Sequence, residues 1–186
     1  NVVVAVGQNY WPHLYPDMQP DPWPDFTDNQ AELPVVSPDL LIQIRADRFD
    51  VIHIATQQIY HLLQPHVDLY EQLHAFRYLD GRNLIGFHDS PDNPKGKLRR
   101  SCALISNELK SPASAGSYVY MLRYQYDLQR WQQLTMAEQE AVMGRSKLDG
   151  HLVPSAQRLP NSHADKTALE NERGRRQILW QNMPVA

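Results

Sequence analysis

The first part of the chain changes from one apolar pattern to another. A continuous apolar run over residues 2–6 predicts a buried strand. Apolar and polar residues alternate toward the end of residues 39–46, which predicts a second strand. Over residues 48–63 the apolar side chains recur every three or four positions, so this stretch is predicted to form an amphipathic helix that ends before Pro65.

A proline-rich stretch separates the two predicted strands. Residues 10–38 contain seven prolines, which argue against a helix or a central strand there. Free linkers contain few aromatic residues, so the aromatic side chains of this stretch predict a loop that packs against the protein. These side chains are Trp11, Tyr15, Trp23 and Phe26.

The rest of the chain repeats the mixture of strands and helices. Strands are predicted over residues 67–76, 101–105, 118–126 and 177–180. The stretch 118–126 has the clearest alternation, with tyrosines along one face. A capping-box pattern followed by a glycine predicts a helix over residues 135–144. Strands and helices in this order indicate an α+β fold with helices packed on a sheet.

Composition narrows the classes of function. The chain has 186 residues, of which 42 % are hydrophobic and 21 % charged, so it can bury a core. Its net charge of −3 argues against nucleic acid and anionic membranes as partners. No apolar run reaches membrane-spanning length. Cys102 is the single cysteine, which excludes an internal disulfide and fits a reducing compartment.

Common catalytic and cofactor motifs are missing from the sequence. It contains no His-Glu-x-x-His, Cys-x-x-Cys, glycine-rich phosphate loop or Gly-x-Ser-x-Gly pattern. Four histidines lie on predicted regular elements with spacings that do not suit a shared metal, namely His53, His61, His66 and His74. His163 instead lies in a polar loop between small neighbours, where a large planar ligand could approach it.

Residues 86–94 form a turn-rich loop with the sequence GFHDSPDNP. Glycine, prolines and Asp, Asn and Ser side chains fix such a backbone without helix or sheet hydrogen bonds. A loop of this kind can hold the Asp89 carboxylate at the wall of a pocket. The same composition is also typical of an ordinary surface turn.

The stretch 76–94, which includes this loop, resembles the signature of dye-decolourising (DyP-type) haem peroxidases. That family has Gly-Phe-x-Asp-Gly, usually continued as Thr-Glu-Asn-Pro. Other runs that agree with the family, in the family's order, are residues 39–47, 116–131, 138–148 and 161–163. The similarity covers nearly the whole chain and is closest to bacterial intracellular-type members.

The resemblance implies a pair of ferredoxin-like α+β halves of the dimeric α/β-barrel-like superfamily, each with helices on one face of an antiparallel sheet. Residues 1–85 would be an incomplete first half and residues 86–186 an incomplete second half that holds haem b. The family's first strand and helix and its last strands are not found, so the chain is expected to be truncated at both ends. A fragment, an imperfectly determined sequence and a degenerate member all remain open.

The resemblance also assigns roles to residues. His163 would be the proximal ligand of the haem iron, and Asp89 the distal acid that moves a proton during peroxide cleavage. Trp180 stands where the family has its distal arginine, so charge stabilisation of the departing hydroxide is expected to be weaker. Asn182, a smaller distal polar residue, is retained. Ser90 replaces the motif glycine, at a position where a positive φ would favour glycine.

The expected function is a haem peroxidase that reduces hydrogen peroxide while oxidising an organic electron donor such as a dye, phenol or porphyrinogen. It is expected to be cytoplasmic and homo-oligomeric, as a dimer or hexamer, and to be a candidate for an encapsulating shell. One alternative is a haem-binding or haem-handling protein with weak peroxidase activity, which Trp180 favours. Another is a ferredoxin-like interaction module without haem.

Overall fold

The chain is divided into two compact units, Asn1–Gln72 and Leu73–Ala186. The computed structural model describes residues 1–18, 36–105, 114–168, 179, 181 and 183–185. The predicted division into halves, 1–85 and 86–186, remains a prediction.

A two-stranded antiparallel sheet forms the start of the first unit. Strand β1 is Val2–Val6 and strand β2 is Leu40–Ile44, with Val2 opposite Ile44 and Val6 opposite Leu40. Both predicted strands are therefore confirmed, but the predicted burial of β1 is wrong, since Val2, Val3 and Val4 are exposed. β-Branched residues dominate β1 and recur in β2, and they suit the extended backbone of a sheet.

Gly7 lets the chain leave β1 close to the start of β2. Its N–H donates to the carbonyl of Asp39 at 2.8 Å. A Cβ at this position would lie only 2.0 Å from the carbonyl oxygen of Pro38. A glycine is therefore required for this close backbone approach.

A short helix, α1, spans Trp11–Leu14 and corrects one prediction. The prolines of residues 10–38 were expected to prevent any helix there. Pro12, however, lies in the first turn of α1, where a backbone N–H has no partner within the helix and its loss costs little. Trp23 and Phe26, two of the aromatic residues expected to pack, lie outside the described residues.

Helix α2 spans Phe49–Leu63 and confirms the predicted amphipathic helix. Arg48 precedes it in an extended conformation and forms an ion pair with Asp50 in its first turn. The last helical hydrogen bond runs from Gln64 N–H to the carbonyl of Tyr60. The helix then stops before Pro65, which cannot continue it.

The second unit contains four helices among its described residues. They are α3 (Lys97–Ala103), α4 (Leu128–Gln132), α5 (Met136–Met143) and α6 (His163–Lys166), with a 3₁₀ turn at Ser155–Gln157. Helices together with an antiparallel sheet confirm the α+β class. No helix in the described part of the chain has both the length and the apolar character that a membrane span requires.

The predicted capping box of α5 is confirmed. The Thr135 hydroxyl accepts a hydrogen bond from Glu138 N–H, and the Glu138 carboxylate accepts one from Thr135 N–H. This reciprocal pair satisfies two N–H groups that would otherwise lack helical partners. Gly144 ends the helix in the left-handed conformation.

Two further strand predictions, over residues 67–76 and 118–126, are wrong within the described part of the chain. Neither residues 67–76 nor 118–126 pair with a neighbouring strand within the described part of the chain, apart from one isolated bridge between Ala75 and Val185. Alternation of side chains predicts which face of a strand is buried, but a strand also needs a partner for its backbone hydrogen bonds.

The strand predicted over residues 101–105 is also wrong, since its first three residues belong to α3. Lysine, leucine and arginine at the start of α3 are good helix formers, and they extend the helix into the short apolar run. The strand predicted over residues 177–180 lies outside the described residues, except for Leu179, which is not in a strand.

The described core of the second unit lies under the loop that carries Asp89. Phe87 is 1 % exposed and clusters with Ile85 and Met143. Tyr126 and Trp131 pack against this cluster, and the Trp131 ring meets the Phe87 ring edge to face at 6.2 Å. The core therefore holds the chain two residues before Asp89.

Candidate functional site

The backbone of the Asp89 loop folds back on itself. Arg82 and His88 form an antiparallel bridge, and Asp89 N–H donates to the carbonyl of Gly81 at 2.9 Å. Just before the loop, Asn83 N–H donates to the carbonyl of Phe87 at 2.9 Å, and the side-chain oxygen of Asn83 accepts from Phe87 N–H at 2.9 Å. Since Phe87 is buried, these bonds fix the half-buried Asp89 beside the core.

Ser90 has a positive φ, although it replaces the glycine of the family motif. Its φ is +48°, in the left-handed region where a glycine is favoured. Its hydroxyl donates a hydrogen bond to Oδ1 of Asp89 at 2.8 Å. The serine thus has a strained backbone, and its side chain contacts the carboxylate that sequence comparison singled out.

The turn before His163 is held by a small polar network. Ser162 is 2 % exposed and caps α6, donating from its hydroxyl to the Asp165 carboxylate at 2.7 Å. Arg158 donates to the other oxygen of Asp165 at 2.7 Å and to the carbonyl of Val153 at 2.8 Å. The hydrogen bond from Ser162 holds the pKa of Asp165 below its usual value, and Arg158 adds to this effect.

His163 is the first residue of α6, so it lies in a short helical turn, whereas the sequence predicted only a polar loop. Although His163 is partly open to solvent, the atoms around it desolvate its imidazole and lower its pKa. The charge of Arg145 lowers this pKa further. The neutral imidazole, which is the form that binds metals, is therefore favoured at neutral pH.

This histidine fits the chemistry of a haem ligand. Among the described residues, its ring makes no hydrogen bond and no group of three His, Cys, Asp or Glu side chains could hold a metal ion by itself. A haem iron needs only one strong protein ligand, because the porphyrin supplies four others. A single neutral imidazole at an accessible helix start therefore suits a haem.

A connecting segment, residues 144–151, contacts the His163 turn at one end. Gly144 has φ +71°, and a Cβ there would lie 2.6 Å from Oγ of Ser162 and 2.9 Å from Cβ of Ala164. The carbonyl of Gly144 also accepts a hydrogen bond from Val153 N–H at 3.2 Å. Only a glycine allows the end of α5 to approach the start of α6 this closely.

The same connecting segment contacts the Asp89 loop through Arg145. This side chain is only 11 % exposed, forms an ion pair with Asp92 and donates to the carbonyl of Gly150 at 3.0 Å. Its charge also acts on His163. One arginine therefore connects the loop of the predicted acid with the surroundings of the predicted iron ligand.

The structure thus places two of the four predicted site residues. Asp89 and His163 lie in the same compact unit and are connected through residues 144–151. Trp180 and Asn182 lie outside the described residues. Arg145 was not singled out from the sequence, because nothing in the local pattern indicates a partner 53 positions away.

Residues 1–77 match the sequence profile of the Dyp-type peroxidase N-terminal domain, and residues 80–186 match that of the C-terminal domain. The chain is 31 % identical over 188 residues to the dye-decolorizing peroxidase of Mycobacterium tuberculosis, and the alignment covers 99 % of this chain and 56 % of that protein. The chain therefore spans little more than half the length of this relative.

Solved structures show the same similarity. DyPB from Rhodococcus jostii RHA1 superposes with a TM-score of 0.86 at 32 % identity, covering 98 % of this chain and 60 % of that one. A variant of that protein in complex with heme gives a TM-score of 0.86 at 30 % identity, covering 100 % of this chain and 61 % of that one. The predicted ferredoxin-like α+β fold is confirmed.

Proposed function

Since the chain belongs to the Dyp-type peroxidase family, we propose that it forms the haem site of a peroxidase. The enzyme would reduce hydrogen peroxide while oxidising an organic donor such as a dye, a phenol or a porphyrinogen. The observation that carries this proposal is the connection between Asp89 and His163. Both lie in one compact unit, and the connecting segment contacts the loop of the first and the turn of the second.

His163 is proposed to hold the iron of haem b. The haem, when bound, supplies the redox chemistry of peroxide reduction. The protein would contribute the neutral imidazole of His163. The backbone of this residue is fixed by the Ser162 cap and the Asp165–Arg158 ion pair. A fixed helix start limits the orientations of the ring, so less freedom would be lost when it binds iron.

Asp89 is proposed to move the proton that peroxide cleavage requires. A carboxylate near the bound peroxide can accept a proton from one oxygen and deliver it to the other. The half-buried position of Asp89 and the backbone bond from its N–H to Gly81 support this role, since they restrict the carboxylate. Ser90 would help to orient the carboxylate through its hydrogen bond to Oδ1 of Asp89.

Trp180 and Asn182 are proposed to line the distal side, by their positions in the sequence alone. An indole has one neutral N–H, whereas the arginine usual in the family has a charge and five donors. The developing negative charge would therefore be less well stabilised, and peroxide activation would be slow. Asn182 would provide a neutral polar contact.

The second candidate function is haem binding or haem handling with weak peroxidase activity. Trp180 in place of arginine is the observation that favours it. Both functions require haem on His163, but only the first requires Asp89 to move a proton. An interaction module without haem would require neither.

We also propose a cytoplasmic homo-oligomer, a dimer or a hexamer, as a candidate for an encapsulating shell. The family membership supports the oligomer, and the single cysteine, Cys102, fits a reducing compartment. Light scattering of the purified protein would give the mass of the assembly. A monomeric mass would contradict this part of the proposal.

Absorption spectra and dye oxidation test the proposed function together. The haem-loaded protein should show a Soret band that His163→Ala removes and that the control His53→Ala leaves unchanged, since His53 is exposed on α2 in the other unit. Peroxide-dependent oxidation of a dye should then be lost in Asp89→Asn. A Soret band that survives His163→Ala would contradict the ligand assignment, and dye oxidation unaffected by Asp89→Asn would favour the second function.

A further inference from the structure

The guanidinium of Arg82 contacts both the loop of Asp89 and the connecting segment. Its Nη1 donates to the carbonyl of Gly86 at 2.7 Å and to the carbonyl of Lys147 at 2.6 Å. Its Nη2 donates to the carbonyl of Leu148 at 3.2 Å and lies 3.0 Å from Nε2 of His88. One guanidinium therefore joins the Asp89 loop to the connecting segment.

The main chain at Arg82 also contacts the loop of Asp89. Its main chain forms the bridge with His88, the residue directly before Asp89. The neighbouring carbonyl of Gly81 accepts the N–H of Asp89 at 2.9 Å. The position of Asp89 therefore depends on residues 81–82 through both the main chain and the Arg82 side chain.

The two segments that Arg82 joins are also packed without spare room. A Cβ on Gly86 would lie 2.7 Å from Cε of Lys147, and a Cβ on Gly150 would lie 3.2 Å from Cβ of His88. At Gly150 the missing side chain brings the connecting segment close to His88, whereas at Gly86 the neighbour is the flexible end of Lys147. The carbonyls of Lys147 and Leu148, brought together at this contact, receive N–H donors from the guanidinium.

We propose that Arg82 is a positioning residue for Asp89. It fixes the loop on the connecting segment, whose other end meets the His163 turn, and so sets where the Asp89 carboxylate lies relative to His163. This inference rests on the proposed peroxidase function. Arg82 acts through Asp89 and not on the reacting atoms, since its described contacts are three carbonyls and an imidazole.

The first test measures the reaction of the haem-loaded chain with hydrogen peroxide. Arg82→Gln should keep the Soret band and the KM for the dye but slow the peroxide reaction by about tenfold to hundredfold, because small displacements of a catalytic group have effects of this size. Arg82→Lys should recover part of the rate, since an ammonium reaches fewer of the carbonyls. The control Arg77→Gln, which removes one exposed bond to the carbonyl of Asp80, should leave the rate unchanged.

A double-mutant cycle separates positioning from an independent role. In the Asp89→Asn background, Arg82→Gln should slow the peroxide reaction less than twofold, because the group it positions is already disabled. If the rate losses of Arg82→Gln and Asp89→Asn instead multiply in the double variant, the inference is overturned. So would an Arg82→Gln protein that reacts as fast as the wild type.

Hydrogen exchange gives a readout that does not depend on activity. In the haem-free chain, the amide of Asp89 should exchange at least about tenfold faster in Arg82→Gln than in wild type or Arg77→Gln, since loosening the loop exposes its bond to Gly81. Unchanged exchange would overturn the inference. If Arg82→Gln does not fold, Arg82→Lys, whose ammonium reaches fewer of the three carbonyls, should show a smaller change of the same sign, and unchanged exchange in that variant would overturn the inference.

Failure of the proposed function would look different. A haem-loaded wild type that does not react with peroxide, or a rate that does not change in Asp89→Asn, would overturn that function and this inference with it. An active wild type that depends on Asp89 but not on Arg82 would overturn only this inference.

Discussion

Arg145 forms an ion pair with Asp92 across 53 positions of the chain. The two exposures are unequal, since the arginine side chain is 11 % exposed and the aspartate side chain 38 %. Loss of the partner therefore costs more folding free energy for Arg145, which is the more buried of the two charges, than for Asp92. The pair also fixes the loop that contains Asp89, three residues before Asp92.

Removing the acid of this pair should destabilise the second unit. Asp92→Ala leaves a largely buried guanidinium without its charged partner, and we expect a loss of about 1–3 kcal/mol in the free energy of unfolding. Urea denaturation measures this loss. Asp50→Ala is the comparison, because the Arg48–Asp50 pair is 74 % and 56 % exposed, so its loss should cost less stability than that of Asp92, even though Asp50 also accepts the N–H of Val51 at the start of α2. If Asp92→Ala and Asp50→Ala lose the same free energy of unfolding, the burial of Arg145 does not strengthen its ion pair.

Substitutions of Ser90 should separate backbone strain from the hydroxyl contact with Asp89. Ser90→Gly relieves the positive φ of +48°, whereas Ser90→Ala keeps it, so the glycine variant should be more stable than the alanine variant by about 1 kcal/mol. Both variants lose the hydrogen bond to Asp89. Denaturation midpoints give the comparison, and an alanine variant as stable as the glycine variant would mean that the left-handed conformation is not kept in solution.

Gly144 should not tolerate a side chain. Its backbone, at φ +71° and ψ +13°, is left-handed, so alanine there costs about 1–2 kcal/mol. A Cβ at Gly144 also meets Oγ of Ser162 at 2.6 Å, and overpacking adds about 1–3 kcal/mol. Gly144→Ala should therefore lower the free energy of unfolding by at least about 2 kcal/mol in urea denaturation, and a loss of about 1 kcal/mol or less would contradict the clash. Gly96→Ala meets nothing within 4 Å but lies at φ +59° and ψ −134°, where only glycine is unstrained, so it loses stability through its backbone alone.

The haem spectrum gives a second measurement on the same two variants. Because the clash lies in the cap of α6, Gly144→Ala should also shift or weaken the Soret band, and Gly96→Ala should not. A normal spectrum in a folded Gly144→Ala protein would show that the His163 turn adapts without moving the imidazole.

Local chemistry explains which elements could be predicted from the sequence. The capping box of Thr135 and Glu138 and the stop at Gly144 each follow from a few adjacent residues. The strand predicted over 118–126 was wrong because side-chain alternation gives no information about a partner strand. The same limit applies to the site, where Arg145 and Asp92 meet only through the tertiary fold.

The family signature, by contrast, predicts Asp89 and His163 as site residues, and these roles stay predictions. The signature does not predict the residues that connect Asp89 with His163. Arg82 lies inside the matched stretch 76–94, but its contacts with the carbonyls of Lys147 and Leu148 depend on a segment about 65 positions later. Spacing along the chain does not encode such contacts, so they become apparent only in three dimensions.

The substitution of Trp180 by arginine tests whether the missing charge limits peroxide activation. An arginine would add a fixed charge and several donors beside the departing hydroxide, and one well-placed donor of this kind contributes about a hundredfold to a rate. We expect Trp180→Arg to speed the reaction of the haem-loaded protein with peroxide by at least about tenfold, measured by stopped-flow absorption. Trp180→Phe removes the indole N–H without adding a charge and should give no gain. If the arginine variant binds haem normally and reacts no faster than the phenylalanine variant, the distal position assigned to Trp180 is wrong, and the second candidate function loses the observation that favours it.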